Sequence, residues 1–161
     1  MDGGGWWRER HHRRLMRESL SMSIPFGAKI PFVDHLGFSL EKFEGGESEL
    51  HFAPRPEHLN SFDVTHGGAV MTFLDVIMAT AARSVDPEMG VVTIEMKTSF
   101  MRPAKVPVGQ ALVGKGHLKH RTRSMAFTEG SVFDADGQLC AHATGTFKYV
   151  SRRETPSPST D

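Results

Sequence analysis

Residues 66–83 read His-Gly-Gly-Ala-Val-Met-Thr-Phe-Leu-Asp-Val-Ile-Met-Ala-Thr-Ala-Ala-Arg, and this stretch decides the fold. From Ala69 to Ala82 apolar side chains would occupy nearly the whole circumference of a helix, and such a helix is normally buried on all sides. The spacing predicts a helix from His66 to about Val85, stopped at Asp86-Pro87 because the residue before a proline is pushed out of the helical region. Asp75 is the only charged residue between Ala69 and Ala82. Aspartate is a poor mid-helix residue, and an unpaired buried carboxylate costs several kcal/mol or shifts its pKa upward. A sequence that carries this cost commonly does so for a site. Two plainer explanations stand beside it: a solvent-facing edge, or a partner in Arg83, which lies on roughly the same face but about 12 Å further along the axis.

Outward from the helix, the chain reads as strands. Ile30–Leu36 is a short apolar segment of about one helical turn. Residues 37–43 and 47–52 read as two strands around Gly45-Gly46, and in the second Ser48, Leu50 and Phe52 alternate with Glu47, Glu49 and His51. Pro54 and Pro56 end that strand, and a loop runs from Asn60 to Thr65. After the helix, strands are expected at 91–101, 106–120, 124–134 and 138–150, with Asp134-Ala135-Asp136-Gly137 as a hairpin turn. Val92, Ile94, Met96 and Phe100 are expected on one face of the first of these. The order β-β-α-β-β-β-β is that of an α+β domain whose antiparallel sheet wraps one long helix.

The chain has 161 residues, 39% apolar and 24% charged, which suits one domain with tails. Nineteen basic side chains balance nineteen acidic ones, which argues against nucleic acid as the main partner. The single Cys140 rules out an intramolecular disulfide and a cysteine-rich zinc module. No run approaches the roughly 18 apolar residues of a membrane span. A cytoplasmic protein is the expectation. Residues 1–28 read as a disordered basic tail, with Arg8, Arg10, Arg13, Arg14 and Arg17. A basic arm for an anionic partner and an over-long start before Met16 or Met22 are the other readings. The domain then spans 29–150, and 151–161 reads as a disordered C-terminal tail. His11 and His12 lack the carboxylates or thiols of a metal site, so no metal is expected.

The start of the helix is the second oddity. His66-Gly67-Gly68 opens it, although each glycine costs roughly 1 kcal/mol against alanine. Glycine lets another molecule's carbonyl approach the free N–H groups of the first turn, which with the helix dipole form an oxyanion hole; a tight turn that merely needs glycine is the plainer reading. Gly68 and Asp75 are about 10.5 Å apart along the axis. A nucleophile must come within roughly 3–3.5 Å of the reacting carbon, so one helix cannot serve one carbonyl with both groups. Two copies packed antiparallel about a two-fold axis near Met71-Thr72 would place Gly68 of one beside Asp75 of the other.

His66-Gly67-Gly68 with Asp75 nine residues after the histidine, followed by VVTIEMKTSFMRPAK at 91–105 and AHATGTF at 141–147, resembles the hotdog-fold acyl-CoA thioesterases. The likeness is to the phenylacetate-pathway (PaaI-like) branch of the 4-hydroxybenzoyl-CoA thioesterase superfamily, over about residues 30–150. It implies a curved sheet around a central helix, a homodimer that forms the site, and a homotetramer built as a dimer of dimers. It also implies hydrolysis of an acyl-CoA to a carboxylic acid and coenzyme A, with no cofactor beyond the coenzyme A of the substrate. Asp75 would be the general base that activates water, or the nucleophile that forms a mixed anhydride. Gly67 or Gly68 would hold the oxyanion, Asn60 would orient carbonyl or water, His66 would cap the helix and touch the thioester, and Thr93 would position the lytic water. Phe100, Arg102, Lys105, Arg121, Arg123 and Ser124 fall in segments that line the coenzyme A groove. Many relatives carry glycine three residues after the asparagine, where this chain has Asp63.

A hotdog module that binds acyl-CoA without turnover is the alternative, and Asp75 discriminates, since a pure binder has no need of a carboxylate beside the thioester. A hotdog dehydratase fits less well, because no His with Glu or Asp is placed as in that branch.

Overall fold

A computed structural model of the chain describes residues 23–152. Pro31–Leu36 forms a short helix, α1, closed by Gly37 at φ 77°, a left-handed position that suits glycine. Strands β1 (Ser39–Glu44) and β2 (Glu47–Phe52) follow as a hairpin across Gly45-Gly46. A 3₁₀ turn at Pro56–His58 leads to the long helix α2, Gly67–Arg83. Then come β3 (Met89–Phe100), β4 (Leu112–Arg121), β5 (Met125–Phe133) and β6 (Leu139–Ser151). The six strands make one antiparallel sheet in the order β1-β2-β4-β5-β6-β3, curled around α2. This is the hotdog fold, and its β-β-α-β-β-β-β order is the one the sequence predicts.

The core lies between α2 and the inner face of the sheet. Val70, Phe73, Leu74, Ile77, Met78, Ala81 and Ala82 of α2 are buried against Leu50 and Phe52 of β2, Val132 of β5 and Phe147 of β6. Phe38, Phe52 and Phe73 pack edge-on or tilted against one another with ring centroids 4.8 to 5.5 Å apart. The helix can sit this close because β4 presents glycine beneath it. A Cβ on Gly114 would lie 2.1 Å from Ile77 Cδ1, and one on Gly116 2.6 Å from the Ile77 carbonyl oxygen. Polar bonds pin the seat: Ser48 Oγ donates to Ile77 C=O at 2.7 Å, and Tyr149 Oη donates to Ala82 C=O at 2.8 Å.

Four expectations need correction. The helix is not buried all round: Gly68 and Met71 are exposed and Thr72, Asp75, Val76 and Ala79 half-buried, so one stripe stays uncovered by its own sheet. Residues 106–111 are not strand, because Pro103 and Pro107 offer no N–H to the ladder and Gly109 turns the chain at φ 83°. The four apolar residues assigned to one face of β3 are split by a β-bulge at Ile94, between Thr93↔Phe147 and Glu95↔Thr146. Before the bulge Val91 and Thr93 pair with the inward Tyr149 and Phe147 while Val92 points out. After it Met96 and Phe100 pair with the inward Gly145 and Ala141, although Phe100, at the strand's end, stays 52% exposed. The first strand begins at Ser39 rather than Gly37, since Gly37 caps α1.

Of the expected tails, residues 1–22, with His11 and His12, and residues 153–161 lie outside the described residues. Residues 23–28 lie along the domain, where Ile24 makes an antiparallel bridge to Leu40. No helix among the described residues is long and apolar enough to cross a membrane.

Candidate active site

The loop into α2 is built around Asn60. Its Oδ1 accepts the N–H groups of Phe62 at 2.9 Å and Val64 at 3.2 Å, and its backbone N–H donates to Val64 C=O at 2.8 Å. The side-chain carbonyl is therefore consumed in holding the loop, which leaves the amide NH₂ without a partner among the described residues. Asp63 closes the turn at φ 55°, the only non-glycine residue with positive φ among those described. That explains the departure at this position: the turn requires a left-handed residue, which glycine adopts freely and aspartate at some cost.

Two further bonds set the direction of the helix start, Thr65 N–H to Ala104 C=O at 3.1 Å and His66 N–H to His58 C=O at 2.8 Å. His66 is the N-cap, and its Nδ1 accepts the Gly68 N–H at 2.9 Å. An accepting Nδ1 leaves the neutral ring's proton on Nε2. Of the two glycine donors, Gly68 is thus engaged by the cap. The Gly67 N–H has no acceptor among the described residues, and the Phe100 ring borders this glycine, with Cζ 3.7 Å from where a Cβ at Gly67 would stand.

Asp75 sits on the half-buried border of α2, and Thr93 Oγ1 donates to its Oδ1 at 2.6 Å. Burial among apolar neighbours pushes the Asp75 carboxyl above its ordinary value, and the Thr93 hydroxyl pulls it partly back. Arg83 does not pair with it; the Thr93 hydroxyl is its one side-chain hydrogen-bond partner among the described residues. Gly67 and Asp75 remain about 12 Å apart along the axis, beyond the reach of one carbonyl.

The expected groove residues fall into two groups that one chain does not bring together. Phe100, Arg102 and Lys105 lie by the N-terminus of α2, where Met101 and Arg102 donate their N–H groups to Cys140 C=O. Arg102 and Lys105 are exposed, and Lys105 borders a cleft of about 470 Å³ with Leu59 and Asp63. Arg121, Arg123 and Ser124 lie at the opposite end, near the last turn of α2. Arg121 is occupied: it pairs with Asp86 at 2.8 Å and covers the Tyr149 ring at 4.5 Å. Arg123 and Ser124 are exposed in the β4–β5 turn, with Ser124 C=O accepting the Tyr149 N–H.

Two residues that the sequence reading did not place in a site stand out. His58 is buried beside the helix start, with Nδ1 accepting the Arg55 N–H and Nε2 unpartnered among the described residues; burial lowers its pKa. Arg83 is buried in the last turn of α2 with an unpartnered Nε. A cation closing an otherwise apolar helix is the one sequence signal that could have flagged it.

A family model described as Thioesterase superfamily matches residues 62–141. A protein named "Putative esterase" in Saccharolobus solfataricus is 30% identical over 125 residues, covering 76% of this chain and 78% of that protein. Human acyl-coenzyme A thioesterase 13 is 30% identical over 91 residues, covering 56% of this chain and 64% of the human protein. Among solved structures, the Escherichia coli PaaI protein of the phenylacetic acid degradation operon superposes with a TM-score of 0.70 at 17% identity, over 76% of this chain and 86% of that one. The last is a likeness of fold. With the identity and coverage of the first relative, the chain belongs to the thioesterase superfamily and is a thioester hydrolase of the hotdog fold.

Proposed function

We propose that this protein hydrolyses acyl-CoA thioesters at two equivalent sites, each shared between two copies of its 29–150 domain. The observation that carries this reading is the Thr93–Asp75 hydrogen bond on a carboxylate set in an otherwise apolar helix face. Asp75 of one copy meets the glycine end of α2 of the other. Support for the pairing comes from what one chain leaves open: β3 is a sheet edge twelve residues long, with Val92 45% and Ile94 54% exposed, beside the uncovered stripe of α2. A long apolar edge strand is a liability unless something pairs with it. The dimers join in turn into a dimer of dimers.

In the reaction, Thr93 fixes Oδ1 of Asp75 and leaves Oδ2 for a water. The water oxygen adds to the thioester carbon while Asp75 takes its proton. A carboxylate whose pKa burial has raised is the better base for this. The oxyanion is held by the Gly67 N–H, with the Asn60 amide NH₂ beside it, and His66 Nε2–H faces the sulfur. When the tetrahedral adduct collapses, the C–S bond breaks and the thiolate takes the proton from Asp75, giving a carboxylic acid and coenzyme A. Neither metal nor cofactor is consumed. Arg102 and Lys105 of one copy and Arg123 and Ser124 of the other receive the coenzyme A, with Phe100 over the glycine end and Arg121 bracing the turn.

The test is thiol release from a panel of acyl-CoAs by the purified protein, with Asp75→Ala and Asn60→Ala inactive separately. Mixed and allowed to exchange subunits, the two variants regain about a quarter of wild-type activity, because half the dimers are mixed and each has one intact site. Tight acyl-CoA binding without thiol release would favour a binding module, and confirmed mixed dimers without activity would end the shared site.

A further inference from the structure

A cleft of about 280 Å³ runs along α2 from Asp75 and Thr93 to Arg83 and Arg152. Its walls are apolar: Val76 and Ala79 from α2, Ile30 and Val33 from α1 and its approach, and Val91 from β3. Its far end is not. Arg83 is 9% exposed, its Nη2 donates only to Phe26 C=O at 3.3 Å, and its Nε has no partner among the described residues. Arg152 stands near enough to depress the Arg83 pKa beyond the effect of burial, and its Nη1 donates to Gly27 C=O at 3.1 Å. Two guanidinium groups thus share one end of an apolar cleft, and none of the ion pairs among the described residues involves either. The Phe43 ring, 5.9 Å from Arg83, offers a weak counterweight and no hydrogen-bond acceptor. Two cations held together at the edge of a low-dielectric cavity, with a donor unused, are a built acceptor for an anion.

We propose that this cleft takes the acyl chain and that its cationic end selects an acyl group with a carboxylate at the far terminus, an ω-carboxyacyl-CoA. The inference rests on Asp75 marking the thioester carbon. Asp75 and Arg83 are eight residues apart, about 12 Å along the helix. An extended chain advances about 1.2 Å per bond, so about ten bonds span this distance and the matching acyl group has about ten or eleven carbons, both carboxyl carbons included. A planar guanidinium can grip the terminal carboxylate with two parallel hydrogen bonds, and Val76, Ala79 and Val91 cover the methylenes.

The test compares kcat/KM for thiol release from decanoyl-CoA and from the mono-CoA thioester of decanedioic acid. The wild-type ratio favours the dicarboxylic substrate tenfold or more, and Arg83→Met brings it to about one, with Arg83→Lys between them. Arg152→Gln, at an exposed position, lowers the ratio several-fold and serves if Arg83→Met does not fold. Calorimetry of the free acids gives a readout independent of turnover, with decanedioate binding more tightly than decanoate in wild type and losing that advantage in the variants. A wild-type ratio at or below one, a ratio unmoved by the substitutions, or equal binding of the two acids overturns the assignment. Thiol release from decanoyl-CoA without preference leaves the thioesterase reading intact and ends only this one; absence of thiol release from every acyl-CoA ends that reading, while the calorimetry still decides the anion site.

Discussion

Replacing Asp75 with asparagine should abolish turnover and stabilise the fold. The amide has the shape of the carboxylate, so the Thr93 hydroxyl, now 2.6 Å from Oδ1, can still donate to it. What disappears is the charge and the proton acceptor. Loss of a general base lowers kcat by about 10² to 10⁴. For stability, burial raises the Asp75 pKa in the folded protein above its ordinary value of 3.8, which the unfolded chain retains. The folded state then binds protons more readily than the unfolded one, so at neutral pH the ionised group opposes folding. That opposition shrinks as pH falls through the raised value and vanishes below about 3.8. Asp75→Asn should therefore raise stability at pH 7.5 by about 1 kcal/mol, the ordinary size of a favourable single replacement. That is about 4 °C in Tm for a domain of this size, and the advantage should narrow towards pH 4. The assay pairs thiol release with thermal unfolding at both pH values. A variant less stable than wild type at pH 7.5 would make Asp75 a paired structural charge, and a variant with near wild-type turnover would remove it from the chemistry.

Removing the Thr93 hydroxyl takes away the one influence that lowers the Asp75 pKa, so in Thr93→Val the acid limb of the pH profile of kcat/KM should move to higher pH, with about a tenfold loss of rate. Thr93→Ser should restore the limb, and a limb unmoved in Thr93→Val would separate the hydroxyl from the carboxylate. Gly116→Ala drives a Cβ to 2.5 Å from Ser48 Oγ and 2.6 Å from the Ile77 carbonyl oxygen, and backbone cannot step aside; we expect a loss of about 2 kcal/mol or more by denaturant unfolding, and an unchanged midpoint would show that α2 is free to move off its seat. Asp63→Gly relieves the left-handed residue at φ 55° and should gain about 0.5–1 kcal/mol in the same assay; destabilisation would mean that the Asp63 side chain holds the loop.

What could be read from the chain was whatever local spacing records. The alternation of Ser48, Leu50 and Phe52 is a period of two and placed β2 with its faces assigned correctly. The apolar run before Asp86-Pro87 placed α2, and the His66-Gly67-Gly68 opening located its capped end. The β-bulge at Ile94 was not legible, since nothing in Val-Thr-Ile-Glu marks where one residue goes unpaired, yet it decides that Thr93 and Met96 face the same side. Arg121 looked available because its two partners, Asp86 and Tyr149, are 35 and 28 positions away and meet only after folding. That the His66 cap engages the N–H of Gly68 and not that of Gly67 depends on the direction of the ring, a rotamer rather than a residue type.

The placement of costly residues on α2 follows from how that helix is held. Val70, Phe73, Leu74, Ile77 and Met78 are fully or almost fully buried, and at about 2 kcal/mol each their burial outweighs by several-fold the two first-turn glycines at about 1 kcal/mol apiece. These anchoring side chains point to the sheet, whereas Gly68, Thr72, Asp75 and Ala79 recur at helical spacing on the stripe the sheet leaves uncovered. A strained or charged residue on that stripe disturbs no core contact. The element with the largest reserve of burial is therefore the one that can carry an unfilled N–H at one end, a desolvated carboxylate at its middle and a buried cation in its last turn. Substitutions at Asp75 should for this reason act on chemistry far more than on folding, while substitutions under Ile77 should do the reverse.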